Sequence, residues 1–543
     1  MNTITVDIDG RERTAPRGTS LKELLRDRED VIAAVLNHHL VSLDTTVFHG
    51  VSVSTVTTDE PRGRTVLRNG AELAFQSLLK KHCPELEVEI GQSLLGGYFY
   101  QIDSPSGDDI DLSNVAYRLN EELKRLVKHD LPFKRELLSL VEAIRLVDDP
   151  TASRARLLRS WPAPRIHVAG LNGCHDLQHG VLPPSTRYLE GVEVLEFSPG
   201  LVLRFGDCCE ELAPGHGQLL MDCYHETRRW SEMIGARTVG ELNTSTLEGR
   251  FERVVRLNEA LHEKRISQIA DQICENRQVK IVCIAGPSAS GKSTFLKRLA
   301  TQLGVNGKVP LTISLDDYYR ERSGLENIDL ESPEALDIAL LNRHVEALLR
   351  GEVVQIPRFD FARQKPAARG TWRLASLAPR GILLLEGLHG LNPSVVHNMP
   401  DENVFRVFVS ALTQIIIDEY NRVPTSKVRL LRRITRDRKF RGSTTEQVLE
   451  QWPKVQSGEK RYIFPFQDKV DCLFNSSLVY EAAVLKSFAW RYLLEVPREH
   501  PTQGEAFRLL KFLELFVPVL PDIVPDNSIL QEFVRRLPPR EER

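Results

Sequence analysis

The 543-residue sequence has no uninterrupted apolar run of about 18 residues, the length that a membrane-spanning helix requires. Its first residues, MNTITVDIDG, read as a strand followed by a turn and lack the basic and apolar regions of a secretory signal peptide. Internal repeats and low-complexity tracts are also absent. We therefore predict a cytoplasmic protein with no membrane association.

The chain carries little net charge, because 71 Lys and Arg residues stand against 74 Asp and Glu residues, a difference of −3. This balance argues against a protein that binds nucleic acid through its overall charge. Binding through a local basic face is an alternative that the balance does not exclude. The hydrophobic fraction of 41% and the charged fraction of 27% are ordinary for a globular protein.

The eight cysteines include no C-x-x-C pair, which favours reduced thiols over a disulfide framework. One region is loosely enriched in cysteine and histidine, but its spacing follows no zinc-binding pattern. We interpret its members as scattered structural side chains rather than as metal ligands. They are Cys174, His175, His179, Cys208, Cys209, His216, Cys223 and His225.

A chain of this length is too long for one hydrophobic core and predicts several domains. A helical period begins near residue 251, and prolines separate the helices after residue 479. We predict a small α+β domain, a second α+β domain, a linking helix, an α/β domain and a helical extension. Their predicted ranges are 1–63, 64–245, 246–278, 279–477 and 478–543.

An apolar, β-branched strand at residues 281–285 runs directly into the pattern G-x-x-x-x-G-K-S and then into a helical pattern. The glycines let backbone N–H groups curl around phosphate oxygens, and the helix N-terminus adds positive potential. Lys292 can reach the β- and γ-phosphates, and the Ser293 hydroxyl can hold Mg²⁺. We predict that the following residues bind a nucleotide: Gly286, Pro287, Ser288, Ala289, Ser290, Gly291, Lys292, Ser293 and Thr294.

Two acidic residues follow the next predicted strand, at residues 311–315. At the carboxyl end of a parallel strand beside the phosphate loop, Asp316 can accept the proton of an attacking hydroxyl or bind Mg²⁺ through water. A helix N-cap is the structural alternative for Asp316 and for Asp317. We favour the catalytic interpretation for Asp316 and the structural one for Asp317.

A third predicted strand, at residues 381–385, ends in Glu386. A carboxylate after four consecutive apolar residues is typical of a Walker-B-like Mg²⁺ contact, and the glycine that follows leaves room for the nucleotide. His389 lies three residues further on. It is either a substrate contact or a structural loop residue, and both alternatives stay open.

Residues 427–442, called the arginine segment below, carry eight basic residues and one acid. A solvated helix face would normally mix the two signs more evenly. Two uses of such a segment stay open: a lid whose arginines close over phosphates, and a stripe that binds RNA.

Four motifs together resemble the uridine kinase/phosphoribulokinase superfamily: the phosphate loop, ISLDDYY at 313–319, IPRFDF at 356–361 and LEG at 385–387. The resemblance covers roughly residues 279–477. It implies a P-loop NTPase-type α/β fold with a parallel sheet, ATP or GTP as the phosphoryl donor, Mg²⁺ as the cofactor and an alcohol as the acceptor.

The resemblance also assigns roles by position. Asp316 matches the catalytic base, and Mg²⁺ would be held by Ser293 with help from Glu386 and Asp316. Lys292 and the lid arginines would neutralise phosphate charge; the arginines that match the lid pattern are Arg432, Arg433, Arg436 and Arg441.

The acceptor side of the site is implied less completely. Tyr319 and Phe359 match aromatic positions near a nucleoside, and Asp360 continues the second segment with Phe361. The histidine that commonly follows in uridine kinases is replaced by A-R-Q-K at 362–365, which puts the preferred base in doubt.

The first half of the chain resembles the start of threonyl-tRNA synthetase. Residues 3–56 have the order of strands and helix of the TGS module, which is ubiquitin-like, and residues 71–102 have the helix and strand pair of the editing domain. This helix has no H-x-x-x-H pair, and Gln178 and Leu182 stand where the second metal segment of that family carries cysteine and histidine. The resemblance implies a retained binding scaffold without metal-dependent editing.

We expect a kinase that phosphorylates the 5′-hydroxyl of uridine or cytidine. A kinase of another sugar or small alcohol is one alternative, and an RNA-associated regulator that uses nucleotide binding as a switch is another. We further expect a homo-oligomer, with RNA contact through the first half as a partner hypothesis.

Overall fold

The computed structural model describes residues 3–146, 153–206, 217–321, 331–360, 365–395, 400–467 and 469–535. Cys208, Cys209, His216, Phe361 and residues 362–364, all considered above, lie outside these ranges.

The first unit is a five-stranded sheet in the order β2-β1-β7-β4-β5, in which β1 and β7 run parallel. The hydroxyl of Ser20 accepts a hydrogen bond from the N–H of Glu23 at 3.2 Å, which starts the short helix as a capping box. Its elements are β1 Thr3–Ile8, β2 Arg11–Pro16, β3 Thr19–Ser20, α1 Leu21–Leu24, β4 Val31–Leu36, β5 His39–Val41, β6 Thr46–Val47 and β7 Ser52–Thr57.

The second unit has two antiparallel sheets, in the orders β13-β14-β9-β8 and β10-β11-β12. Helix α2 packs centrally, since every residue from Leu73 to Leu79 is buried and this part of the helix is therefore covered on all sides. The elements are α2 Pro61–His82, β8 Glu87–Leu94, β9 Gly97–Asp103, α3 Leu112–His129, β10 Lys134–Ser139, α4 Leu140–Leu146, α5 Ser153–Arg159, β11 Arg165–Leu171, β12 Cys174–Leu177, β13 Val192–Phe197, β14 Gly200–Phe205, α6 Gln218–Ile234 and α7 Val239–Leu247.

A 25-residue helix, α8 (Phe251–Glu275), leads from this unit to the third one, as the helical period of the sequence predicted. It buries Val254, Ile266 and Ile273 in the largest core of the molecule.

The third unit is built on a parallel sheet in the order β16-β21-β15-β22-β23. Strand β15 is buried at every residue, and helices accompany the sheet, as a continuous apolar run predicts. The elements are β15 Ile281–Ala285, α9 Lys292–Val305, β16 Val309–Ser314, α10 Ile338–Leu349, β17 Val354–Ile356, β18 Phe359–Asp360, β19 Lys365–Pro366, β20 Arg373–Ala375, β21 Gly381–Glu386, β22 Val404–Ser410, α11 Thr425–Arg436, α12 Thr445–Tyr462 and β23 Cys472–Asn475.

Three helices complete the described chain: α13 Glu481–Leu494, α14 Gln503–Glu514 and α15 Gln531–Val534. Helix α14 packs on the first unit, where the rings of His39 and Phe507 meet edge to face with their centroids 4.9 Å apart. A Cβ added at Gly504 would lie 1.9 Å from the carbonyl oxygen of His38. The first unit and helix α14 are therefore in direct contact.

Among the residues that the structure describes, no helix combines the length and the hydropathy needed to cross a membrane.

The close approach at Gly504 predicts that Gly504→Ala lowers the free energy of unfolding by about 1–3 kcal/mol, because helix α14 has to shift away from the His38 carbonyl. Gly304→Ala in helix α9 is the matched control, since its new methyl group meets no atom within 4 Å. Urea unfolding followed by circular dichroism measures both variants. Equal midpoints for the two variants would contradict the tight contact.

Candidate active site

The phosphate loop, residues 286–293, connects β15 to α9 at the carboxyl edge of the parallel sheet. Three of its residues have positive φ angles: +157° at Gly286, +83° at Gly291 and +58° at Ala289. The two glycines adopt such conformations without strain, whereas the alanine needs its surroundings to hold it there. The loop is therefore held in shape by the residues around it.

Three carbonyl oxygens of the loop accept hydrogen bonds from distant side chains. Arg429 donates to Ser288 O through Nε at 3.1 Å and Nη2 at 3.0 Å, Arg432 Nη1 donates to Ala289 O at 3.3 Å, and the Ser476 hydroxyl donates to Ser290 O. A trans peptide points its N–H opposite to its carbonyl. The N–H groups of Ala289 and Gly291 consequently point away from these side chains, as phosphate binding requires.

Lys292 and Ser293 open helix α9, as predicted. The Lys292 ammonium donates to Pro287 O at 3.1 Å, so this cation is held at the loop. The Ser293 hydroxyl donates to Glu386 Oε2 at 3.4 Å. A hydroxyl beside a carboxylate suits Mg²⁺, which prefers oxygen ligands, so these two residues fit the ion that the resemblance implies.

Glu386 stands at the end of β21, between the ends of β15 and β16. Burial raises its pKa to about 7; Lys292 opposes the shift, and the charges of Asp316 and Glu532 add to it. Several negative groups therefore share this edge of the sheet.

Asp316 lies within a 3₁₀ turn, Leu315–Tyr318, so neither it nor Asp317 is the cap that was considered as an alternative. Burial raises the pKa of Asp316, while the charges of Lys292, Arg441 and Arg436 oppose the shift. Asp317 accepts a hydrogen bond from the N–H of Phe359 at 3.2 Å. Asp316 thus faces the cations of the site, and Asp317 holds a neighbouring backbone segment.

The arginine segment forms α11 and a π-helical turn, Asp437–Arg441. Its single acid, Asp437, organises three arginines: Nε of Arg436 lies 2.8 Å, Nε of Arg433 3.5 Å and Nε of Arg441 3.6 Å from its carboxylate oxygens. Arg433 also donates to the Ser288 hydroxyl at 3.0 Å. Asp437 therefore holds Arg436 and Arg441 in place, and from there their charges act on the carboxylate of Asp316.

Arg432 lies in a different place from the one that the sequence predicted. Its side chain is 0% exposed, forms an ion pair with Glu481 and donates to Ser476 O at 2.8 Å as well as to the loop. A guanidinium with these partners holds the loop from behind. We therefore treat Arg432 as a positioning residue rather than as a lid arginine.

The predicted acceptor residues fall in two places. The rings of Tyr319 and Phe359 pack together with centroids 5.8 Å apart, and Asp360 pairs with Lys365 where the short strands β18 and β19 run antiparallel. His389 follows the same strand as Glu386 and is 2% exposed, with its ring against that of Tyr462. The buried position favours the structural interpretation of His389.

Sequence reasoning missed four residues that contact the loop or its neighbours: Arg429, Glu459, Ser476 and Glu532. Only Arg429 carried a signal, because it belongs to the arginine segment. Glu459, for example, accepts a hydrogen bond from the N–H of Ser288 at 2.8 Å across 171 residues of sequence.

Comparison with known proteins shows which family has a similar sequence in this region of the chain. A model of the phosphoribulokinase / uridine kinase family matches residues 281–481. The chain is 30% identical over 177 residues to the uridine kinase of Deinococcus deserti, an alignment that covers 32% of this chain and 75% of that protein. It is 30% identical over 207 residues to the uridine kinase of Vibrio parahaemolyticus, covering 37% of this chain and 88% of that protein.

The chain belongs to the phosphoribulokinase/uridine kinase family. The parallel sheet and the phosphate loop of the third unit are those of a P-loop kinase, and the chain is an ATP-dependent kinase. The matched region spans β15 to the start of α13, so the first half of this kinase and most of its C-terminal helices lie outside it.

A separate cavity of about 50 Å³ lies in the second unit. Among its lining residues are Asn69 and Leu73 of α2, four residues apart on one helix face, and Gln178 and Leu182, four residues apart on the segment after β12. Both segments were singled out by the resemblance to the editing domain. Within the described residues, no three His, Cys, Asp or Glu side chains are placed to hold a metal ion.

Glu72 also faces this cavity and makes no hydrogen bond or ion pair within the part of the chain that the structure describes. Burial raises its pKa to about 8, opposed by Arg422 and Arg68 and increased by Asp176 and Asp418. The cavity therefore contains a carboxyl group that is largely protonated at neutral pH.

The burial of Arg432 predicts that Arg432→Met destabilises the fold by about 3–5 kcal/mol, because it leaves the Glu481 carboxylate buried without its partner. Arg491→Met is the matched control, since its pair with Glu495 lies at the surface and contributes at most about 1 kcal/mol. Urea unfolding measures both. An Arg432→Met protein of normal stability that no longer binds ATP would restore the lid role.

The raised pKa of Glu72 predicts that this residue lowers the free energy of unfolding by an amount that depends on pH. The folded protein holds this proton more tightly than the unfolded chain, whose Glu pKa is about 4.3, so this group lowers stability as pH rises from about 4 to 8. Glu72→Gln should match the wild type at about pH 4 and exceed it by roughly 1–3 kcal/mol at about pH 8. Urea midpoints across this range measure the effect, and the exposed Glu87→Gln should track the wild type throughout.

Proposed function

We propose that this kinase transfers the γ-phosphoryl group of ATP to the ribose 5′-hydroxyl of a nucleoside, with uridine or cytidine as the acceptor. The observation that carries the proposal is the position of Asp316: a partly buried carboxylate at the edge of the sheet, close enough to Lys292, Arg441 and Arg436 for their charges to lower its pKa. An ATP-binding switch without an acceptor would need no such group.

Asp316 is the general base in this proposal. Its pKa is raised by burial, which makes its carboxylate a better proton acceptor than a surface aspartate once ionised. The acceptor hydroxyl gives its proton to Asp316 while its oxygen attacks the γ-phosphorus, the bond from that phosphorus to the bridging oxygen of the β-phosphate breaks, and ADP leaves. The pairing of Asp317 with the Phe359 backbone keeps the aromatic pair of Tyr319 and Phe359 beside the base.

The other residues position the donor and neutralise its charge. Lys292 exchanges its bond to Pro287 O for phosphate oxygens, and Arg436 and Arg441 approach from the arginine segment. Ser293 and Glu386, with Asp316 through water, would hold Mg²⁺, which would neutralise part of the phosphate charge.

Two kinds of support favour a nucleoside over another alcohol. The relatives that align with 75% and 88% of their length are both named uridine kinases. The aromatic pair supplies flat apolar surface of the kind on which a base can stack.

We also propose that the first half is a TGS-like unit followed by a synthetase-like unit that binds without metal chemistry. The five-stranded first sheet with its short helix supports the first assignment. The cavity supports the second, because Asn69, Leu73, Gln178 and Leu182 converge there and none of these side chains is a metal ligand of the zinc-site type.

The proposal predicts that purified protein with Mg-ATP converts uridine or cytidine to its 5′-monophosphate, and that Asp316→Asn lowers kcat by about 10²- to 10⁴-fold. Coupled ADP release over a nucleoside panel, with product identified by mass spectrometry, measures both. Asp317→Asn is the matched comparison. Because it loosens the Phe359 segment, it should raise the acceptor KM more than it lowers kcat.

Two results would contradict the proposal. One is a wild-type protein that phosphorylates no member of the panel while it accepts another sugar or small alcohol. The other is an Asp316→Asn protein that keeps more than about a tenth of the wild-type kcat.

A further inference from the structure

The last described residues, 528–535, form the C-terminal segment, which lies directly on the phosphate loop. A Cβ added at Gly291 would be 2.4 Å from Cγ2 of Ile529, and the ring of Phe533 lies under the guanidinium of Arg432, 5.1 Å from Cζ. Ile529 and Phe533 are both 0% exposed. The segment lies outside residues 281–481, the region that the family model matches.

One side chain of the segment, Glu532, enters the site. Its Oε2 lies 3.5 Å from the hydroxyl of Thr294, and its Oε1 lies 3.7 Å from Nη1 of Arg436. Its charge also contributes to the raised pKa of Glu386. Glu532 thus joins Asp316 and Glu386 among the carboxylates at the nucleotide site.

The two groups that Glu532 contacts are donors that a nucleotide needs. Thr294 follows the Mg²⁺-binding position of the loop, and Arg436 is one of the cations that face Asp316. A carboxylate and a phosphate present similar oxygens to a guanidinium and a hydroxyl, and both are anionic, so they cannot share these donors without repulsion.

We propose that Glu532 is an internal competitor of the phosphates of ATP. Its carboxylate occupies Thr294 and Arg436 in the free enzyme, and ATP has to displace it. Rotation of the Glu532 side chain is sufficient, because Ile529 and Phe533 anchor the segment independently in the core. The proposal rests on the ATP site and does not depend on which acceptor is used.

A purely structural role for Glu532 makes the opposite prediction. If its only effect were to orient Arg436 for phosphate binding, its removal would weaken ATP binding. If it competes, its removal strengthens ATP binding, because two donors are freed and one negative charge is lost. The sign of the change separates the two roles.

The test is equilibrium binding of Mg-ATP to the full chain without any acceptor, by isothermal titration calorimetry. Glu532→Gln should lower the Kd by roughly tenfold, as expected for the loss of one partly screened like charge at short range. Asp526→Asn, an exposed acid of the preceding loop, should leave the Kd unchanged. An unchanged or higher Kd in Glu532→Gln would overturn the proposal.

A second pair of variants checks the mechanism. In an Arg436→Met background, Glu532→Gln should lower the Kd of Mg-ATP by a clearly smaller factor than it does in the wild-type background. One of the two donors for which Glu532 and ATP compete is absent there. Glu532→Asp, which withdraws the carboxylate by one methylene, should give an intermediate Kd and serves if Glu532→Gln folds poorly. A full gain without Arg436 would contradict competition for this arginine.

The outcome stays separate from that of the proposed function. A protein that binds ATP more tightly as Glu532→Gln, yet phosphorylates no nucleoside, would leave this inference standing and remove the nucleoside assignment.

Discussion

The phosphate loop depends on the buried guanidinium of Arg432. It joins the arginine helix to the loop at Ala289, to the chain after the last strand at Ser476, to Glu481 of α13 and to the ring of Phe533. An arginine taken out of water is tolerated only when its donors and its charge are satisfied together. All four neighbours must be in place for that, so the family core and the added C-terminal helices form one structural unit around the loop.

The first half of the chain is tied to the same helix from its other end. Residues 411–424, between β22 and α11, lie in the second unit: Ile416 exchanges backbone hydrogen bonds with Arg237 and Val239, and the carbonyl of Glu419 accepts from the N–H of Ile90 at 2.8 Å. Helix α11 begins directly afterwards. The second unit is therefore joined through this segment to the helix that carries the loop-bracing arginines.

The sequence predicted those features of the site that depend on residues close together in the chain. An apolar strand precedes each of three features within a few residues: the phosphate loop, Asp316 and Glu386. Because the three strands are parallel, their carboxyl ends lie together at one edge of the sheet. It did not reveal contacts set by tertiary packing. Thr294 and Glu532 are 238 residues apart, and nothing in the short C-terminal run indicates a carboxylate at the nucleotide site. The burial of Arg432 could not be predicted from the sequence either. The spacing of charges identifies a basic helix but does not indicate which of its arginines is buried.

Buried charge at the junction of the two halves indicates that they fold as one. Asp418 is 0% exposed and lies 3.5 Å from Nε of Arg154, which is also 2.9 Å from Asp176; the pKa of Asp418 is held well below its usual range, mainly by Arg154, although burial acts against it. An isolated kinase region would leave Asp418 without this cation, and an isolated first half would leave Arg154 without Asp418. The first half thus supplies the counter-charge that Asp418 requires, and Arg154 is shared between Asp176 of its own half and Asp418 of the other.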